Sequence, residues 1–165
     1  MLSAETASGD YPVEAVNMMD RIITRVEADG YYRMQMMGWH PPLQHTSADA
    51  ITAAAKQVAE TVKAVAIVTY TTSGFTTLRA ARERAQVPVI CLTAKIETAR
   101  RLMLAYGVYA IHTEDVKDFS EMVEHACTLA REHGFARTGD KLVITAGVPF
   151  GTPGNTNVLR LAEVH

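Results

Sequence analysis

The sequence predicts an α/β fold: three layers, with a mostly parallel five-stranded sheet, helices on both faces and a final antiparallel edge strand. Three observations carry that expectation. From Ala64 onward, apolar runs of strand length alternate with capped helical segments. Runs such as Ala66-Ile67-Val68-Thr69-Tyr70 and Lys141-Leu142-Val143-Ile144-Thr145-Ala146 are nearly continuous in apolar character, as strands buried on both faces are. The loops between elements are short, so each strand–helix–strand passage makes a right-handed crossover within one sheet.

Taken in order, Met1–Asp10 has a strand-end or turn pattern with nothing before it to pack against. Asp10-Tyr11-Pro12-Val13-Glu14 then reads as a helix start, with Asp10 as cap and Pro12 in the first turn, where a missing N–H costs nothing. Val13, Val16, Met19, Ile23 and Val26 recur at three- and four-residue steps, giving an amphipathic helix that ends near Gly30. Between Gly30 and Gln44 the period breaks. Tyr31, Tyr32, Met34, Met36, Met37 and Trp39 are interleaved with Gly38, Pro41 and Pro42, and this reads as a linker that packs against a partner surface.

The regular alternation follows. Ser47 opens an alanine-rich helix to about Lys63, and Ala64–Tyr70 is a strand. A helix over Thr76–Ala85 leads to a strand over Val87–Leu92, then a helix over Ile96–Tyr106 stopped by Gly107. Val108–His112 is a strand, Asp118–His133 a helix stopped by Gly134, and Lys141–Ala146 a strand. The turn-rich stretch Gly147–Thr156 contains no helix, so the last strand, Asn157–Val164, returns antiparallel as an edge.

Composition narrows the function classes. At 165 residues the chain fits one compact domain that buries roughly 70% of its unfolded surface. The apolar content of 48% and charged content of 21% are those of an ordinary globular protein. A net charge of −2 and a pI near 6.3 provide no basic field for nucleic acid. No run has membrane-span length and no signal pattern opens the chain. Cys91 and Cys127 lack metal-type spacing and are read as buried, reduced thiols. The expectation is a cytoplasmic protein without nucleic-acid or membrane partners.

The sharpest chemical signal is Thr71-Thr72-Ser73-Gly74-Phe75-Thr76-Thr77, where an apolar strand stops and a helix begins. A strand running directly into a helix N-terminus aims backbone N–H groups and the positive end of the helix dipole at one spot. Hydroxyls add donors, and glycine permits close approach. That is the chemistry of a phosphate site, although a well-capped turn would look the same in sequence. Gly147–Thr156 should lie at the same carboxyl edge of the sheet, where open α/β sheets bind ligands.

Other constellations are weak. No Walker-type loop or dinucleotide fingerprint is present, and the histidines, His125 and His133 among them, are not spaced as chelating pairs. Glu114 and Asp115 stand at a strand end, where acidic residues can hold magnesium, and read more simply as a cap for the following helix. Ser73 has no base in its local sequence. No catalytic or metal-binding residues are assigned.

The stretch Met1-Leu2-Ser3-Ala4-Glu5-Thr6-Ala7-Ser8-Gly9-Asp10-Tyr11-Pro12 strongly resembles the segment that leaves the catalytic barrel of the pyruvate kinase family. Thr71–Thr76 is similar to that family's effector-phosphate loop, and Thr93–Arg100 to its T-x-x-x-x-T-A-R segment. Gly147-Val148-Pro149 with Thr156-Asn157 resembles its C-terminal effector loop and last strand. The resemblance implies that residues 1–30 are the end of the barrel and its last helix, 31–46 a packed linker, and 47–165 the C-terminal effector-binding domain. The parent activity would be phosphoryl transfer between phosphoenolpyruvate and ADP in glycolysis. Magnesium and potassium are implied for the parent's barrel, and no cofactor for this chain.

On the same basis Thr71, Thr72, Ser73, Gly74 and Thr76 would bind an effector's phosphate, with Gly151 and Thr152 closing from the second loop. The implied partners are the parent's barrel, a homo-oligomer (a tetramer in the family) and a phosphorylated effector. Where fructose-bisphosphate-regulated members often carry a basic residue, this chain has Phe75, and Pro149–Gly154 contains no arginine or lysine. The expected ligand is therefore a sugar phosphate or nucleoside monophosphate and not a bisphosphate. The chain reads as a truncated or fragmentary form, inactive in catalysis. The alternative is a free-standing α/β phosphoester-binding or phosphatase-like protein that shares the fold.

Overall fold

The computed structural model describes residues 1–39, 41, 42, 44–149 and 155–165. They fall into two compact units, Met1–Trp39 and His40–His165.

The first unit is helical: α1 (Ala4–Ala7), α2 (Pro12–Glu27) and α3 (Gly30–Met37). Pro12 occupies the first turn of α2 as expected, but the residue before it, Tyr11, takes the cap position and no side chain caps the helix. The structure departs from the sequence reading at Gly30, where a third helix replaces the irregular linker. Asp29 explains it: its carboxylate accepts the Tyr31 N–H at 2.9 Å, and no proline interrupts the chain before Pro41. No residue of α2 or α3 is buried. Val13, Val16, Ile23 and Val26 on α2 and Tyr31, Met34 and Met37 on α3 all stand exposed.

In the second unit the order is α4 (Ser47–Val62), β1 (Ala66–Tyr70), α5 (Phe75–Arg82), β2 (Val89–Thr93), α6 (Ile96–Leu102), β3 (Val108–His112), α7 (Phe119–Glu132), β4 (Lys141–Gly147) and β5 (Thr156–Glu163). The five strands form one sheet in the order β3-β2-β1-β4-β5. All pairings are parallel except β4 with β5, which is antiparallel. The predicted α/β architecture, including its antiparallel edge, is present.

Alternation along the central strands supplies both cores. Ala66, Val68, Ile90, Leu92, Leu142 and Ile144 pack with Met122, Ala126 and Ala130 of α7 on one face. Ile67 and Val143 pack with Ala55 and Ala59 of α4 on the other. Alanines at those helix positions let each helix backbone lie close to the sheet. The crossovers through α5 and α6 advance in one direction across the sheet and therefore lie on the α4 face; α7 reverses direction and covers the opposite face. β1, β2 and β4 are buried almost throughout. β3 is an edge, and only Ile111 of it is buried. Cys91 is buried, whereas Cys127 is only half-buried.

That reversal makes a switch point. From β1 the chain moves toward β2 and β3, then returns to β4 on the other side of β1. Connections leaving β1 and β4 diverge, opening a crevice at their carboxyl ends.

The entry to this unit is fixed by a buried carboxylate. Thr46 caps α4 by accepting the Asp49 N–H at 3.2 Å. Asp49, 1% exposed, accepts the Gln44 N–H at 2.6 Å and pairs with Arg79 at 2.8 Å and Arg82 at 3.2 Å on α5. The Gln44 N–H, then the two guanidinium groups, hold its carboxyl below the usual range against the opposing effect of burial. Asp49→Asn should therefore destabilise the fold by about 2 kcal/mol at neutral pH. Because the folded-state pKa is the lowered one, the wild-type contribution is present above the unfolded value near pH 3.9 and is lost as pH falls through the folded value. Denaturant melts at pH 7 and in strong acid check this: the gap between the two proteins should narrow on acidification.

Candidate functional site

Between the end of β1 and the start of α5 lie Thr71, Thr72, Ser73 and Gly74. The Thr71 N–H donates to the Leu92 carbonyl at 3.1 Å, prolonging the sheet pairing by one bond. The Gly74 N–H then donates to Thr71 Oγ1 at 2.9 Å, which closes the turn. From α6, the Thr98 hydroxyl donates to the Thr72 carbonyl at 3.0 Å, and Arg101 Nη2 donates to the Ser73 carbonyl. Two carbonyl oxygens that would repel an anion are thus already occupied by α6.

Gly74 is the cap residue of α5, at φ +90°, and no side chain caps the helix. Its role differs from close approach to a ligand. It is buried, and a Cβ there would lie 3.3 Å from Arg101 Nη2 and from both Leu102 methyl carbons. Positive φ and contact with α6 both call for glycine. The first backbone bond of α5 runs from the Leu78 N–H to the Gly74 carbonyl at 3.0 Å, leaving the preceding first-turn N–H groups outside the helical ladder.

A cavity of about 270 Å³ opens over this turn at the carboxyl ends of the parallel strands. Thr71, Thr72, Ser73 and Thr76 line it, and Gly74 does not. The hydroxyls of Thr72 and Ser73 make no hydrogen bond among the described residues. Thr76 is engaged: its hydroxyl shares a 2.5 Å hydrogen bond with that of Thr156, tying the start of α5 to the start of β5. Phe75 is not among the described lining residues and is exposed. Gly151 and Thr152, expected in the second loop, lie outside the described residues. The near ends of that loop do reach the cavity through Gly147, Asn155 and Thr156. A Cβ on Gly147 would collide with the Asn155 carbonyl at the irregularity between β4 and β5.

The structure adds lining residues that the sequence reading did not assign to the site. Thr93 at the end of β2 and Lys95 beyond it, and Thr113, Glu114 and Asp115 beyond β3, also line the cavity. Their common signal was position: each lies within three residues of a strand's carboxyl end, the edge where such sheets bind ligands. Glu114 and Asp115 do not cap α7. Asp118 does, accepting the N–H groups of Ser120 at 2.8 Å and Glu121 at 2.9 Å. One Asp115 oxygen accepts the Val116 N–H at 3.0 Å. Across the strand ends, the Thr113 N–H donates to the Thr93 carbonyl at 3.0 Å, and Thr113 Oγ1 lies 3.0 Å from His125 Nε2.

Chemically, this arrangement is suited to holding an anion beside hydroxyls. Among the described residues no histidine lines the cavity near Ser73, and no cluster of histidine, cysteine or carboxylate groups is placed to hold a metal ion. A larger cleft of about 900 Å³ runs between α7 and β5, lined by Val123, Cys127, Arg131 and Arg160 among others. Phe119 and Ser120 at the start of α7 also line it, but there the Ser120 and Glu121 N–H groups already donate to Asp118. The smaller cavity, beside a helix start that no side chain caps, therefore has the better chemistry for phosphate.

Comparison with known proteins identifies the family. Residues 49–162 match the family model described as pyruvate kinase, alpha/beta domain. The chain is similar to a pyruvate kinase of Methylorubrum extorquens, 48% identical over 99% of this chain and 34% of that protein. A pyruvate kinase of Geobacillus stearothermophilus is 39% identical over 98% of this chain and 27% of its own length. A crystal structure of a pyruvate kinase from Cryptosporidium parvum superposes with a TM-score of 0.86 at 29% identity, covering all of this chain and 33% of that one. The chain thus spans about a third of the length of the relatives it matches. Its α/β sheet, its switch-point cavity and these matches place the chain in the pyruvate kinase family, of which it carries the C-terminal domain.

Proposed function

We propose that this chain is the regulatory, effector-binding part of a pyruvate kinase, and that its ligand is a singly phosphorylated sugar or nucleoside. The observation that carries the reading is the uncapped start of α5 at the switch point, with the Thr72 and Ser73 hydroxyls free among the described residues and two loop carbonyls taken by α6. An anion seated there meets N–H and O–H donors and the favourable end of the helix dipole. Effector binding, in this reading, changes the behaviour of a barrel in the same parent protein, which transfers phosphate between phosphoenolpyruvate and ADP with magnesium and potassium. Family membership favours this over a free-standing phosphatase-like protein.

The exposed apolar side chains of α2 and α3 support a second element of the proposal, assembly with the parent's barrel and into a homo-oligomer. Val13, Val16, Ile23, Val26, Tyr31 and Met34 make more apolar surface than a free helix pair leaves to water. Cytoplasmic location belongs to the same proposal; the observation beside it is that no described helix is long and apolar enough to cross a membrane.

Isothermal titration calorimetry tests the ligand. The chain should bind glucose 6-phosphate and ignore glucose, and Ser73→Ala should weaken binding about tenfold through loss of one hydrogen bond to a charged group. Equal affinity for glucose and its phosphate would contradict the reading. A coupled assay for pyruvate tests the division of labour. Because this reading assigns the reaction to the parent's barrel, phosphoenolpyruvate and ADP should not be converted, and sustained turnover by the purified chain would contradict it.

A further inference from the structure

The cavity has an ordered charge pattern that the phosphate reading alone does not require. Among its described lining residues Lys95 is the sole basic side chain, and Glu114 and Asp115 are the sole acidic ones. The strand order places them in sequence along the sheet's carboxyl edge: carboxylates beyond β3, the ammonium beyond β2, and the Thr71–Gly74 turn beyond β1. Neighbouring strands lie about 4.8 Å apart, so the end of β3 stands about 10 Å from the end of β1, with the end of β2, which leads to Lys95, between.

Lys95 is positioned for this by its backbone. Its N–H donates to Thr93 Oγ1 at 3.3 Å, and it sits extended in front of α6. Its side chain is exposed and joins no ion pair among the described residues. A phosphate monoester carries nearly two negative charges at neutral pH. The start of α5 offsets only about half a charge. Arg101 is already engaged with the Ser73 carbonyl and does not line the cavity, so the exposed Lys95 ammonium one strand away is the cation the lining offers for the remaining charge.

We propose that Lys95 is the charge partner of the bound phosphate and that Glu114 and Asp115 form the selective end of the cavity. A ligand with its phosphate on the Thr71–Gly74 turn extends over Lys95 toward the carboxylates. Hydroxyls arriving there donate hydrogen bonds to them; a second phosphate arriving there meets two like charges. The cavity is thereby selective for a polyol bearing one phosphate. This inference rests on the reading of the cavity as a phosphate-ester site and adds the residues that set its specificity.

Calorimetry on the 165-residue chain with glucose 6-phosphate and fructose 1,6-bisphosphate tests it, with unchanged far-UV circular dichroism as the folding control. Wild type should prefer the monophosphate. Lys95→Gln should weaken glucose 6-phosphate about tenfold or more and reduce the salt dependence of binding, and Lys95→Arg should restore both in part. The Glu114→Gln/Asp115→Asn pair should narrow the preference between the two ligands by improving the bisphosphate. Undiminished glucose 6-phosphate binding by Lys95→Gln, or an unaltered preference in the double variant, overturns this inference and leaves the phosphate site standing. Failure of wild type to bind either ligand overturns both.

Discussion

The candidate site depends on the clamp that α6 places on the turn after β1. Thr98 and Arg101 each donate to a carbonyl of that turn, and Leu102 lies where a side chain on residue 74 would need to be. Without the clamp, a four-residue turn between a buried strand and a helix has several ways to direct its peptide groups. With it, two carbonyls are committed to α6, Gly74 is held at positive φ, and the first turn of α5 faces the crevice uncapped. The sheet supplies the crevice and α6 sets its chemistry.

The clamp also links two cavity-lining elements. The helix that holds the turn follows directly from Lys95, and the next strand ends at the segment bearing Glu114 and Asp115. The Thr113 N–H to Thr93 carbonyl bond joins the ends of β2 and β3, and the Thr76–Thr156 hydroxyl pair joins α5 to β5. Occupation of the cavity therefore bears on α5, α6 and β5 together. A regulatory domain needs such a connection, because a ligand shifts a conformational equilibrium only through contacts that differ between states.

Much of the fold was legible because buried strands announce themselves. Continuous apolar runs at β1, β2 and β4 and glycine stops at Gly107 and Gly134 placed the elements within a few residues, and the helix-free last connection gave the antiparallel edge. Helix α3 was not legible, since Gly30 and the irregular aromatic and methionine spacing conceal what the Asp29 cap makes possible. At the site, Thr71–Thr76 stood out because its signal is local: hydroxyls and a glycine between a strand and a helix. The Gly74 contact with α6 needed the fold, as did Lys95. A lysine before a helix is commonplace until strand order sets it beside the Thr71–Gly74 turn two elements earlier. Glu114 and Asp115 read as a cap because acidic residues precede a helix there; the actual cap, Asp118, sits one residue from the helix start.

The central claim is that an anion binds at the start of α5. Amide chemical-shift mapping tests it most directly, by titrating glucose 6-phosphate into ¹⁵N-labelled protein and following the backbone resonances. The account predicts large, saturable shifts confined to Thr71–Thr77 and to the ends of β2 and β3 around Lys95 and Glu114. Saturable shifts centred elsewhere, such as the cleft between α7 and β5, with the Phe75, Thr76 and Thr77 amides unmoved, would contradict it.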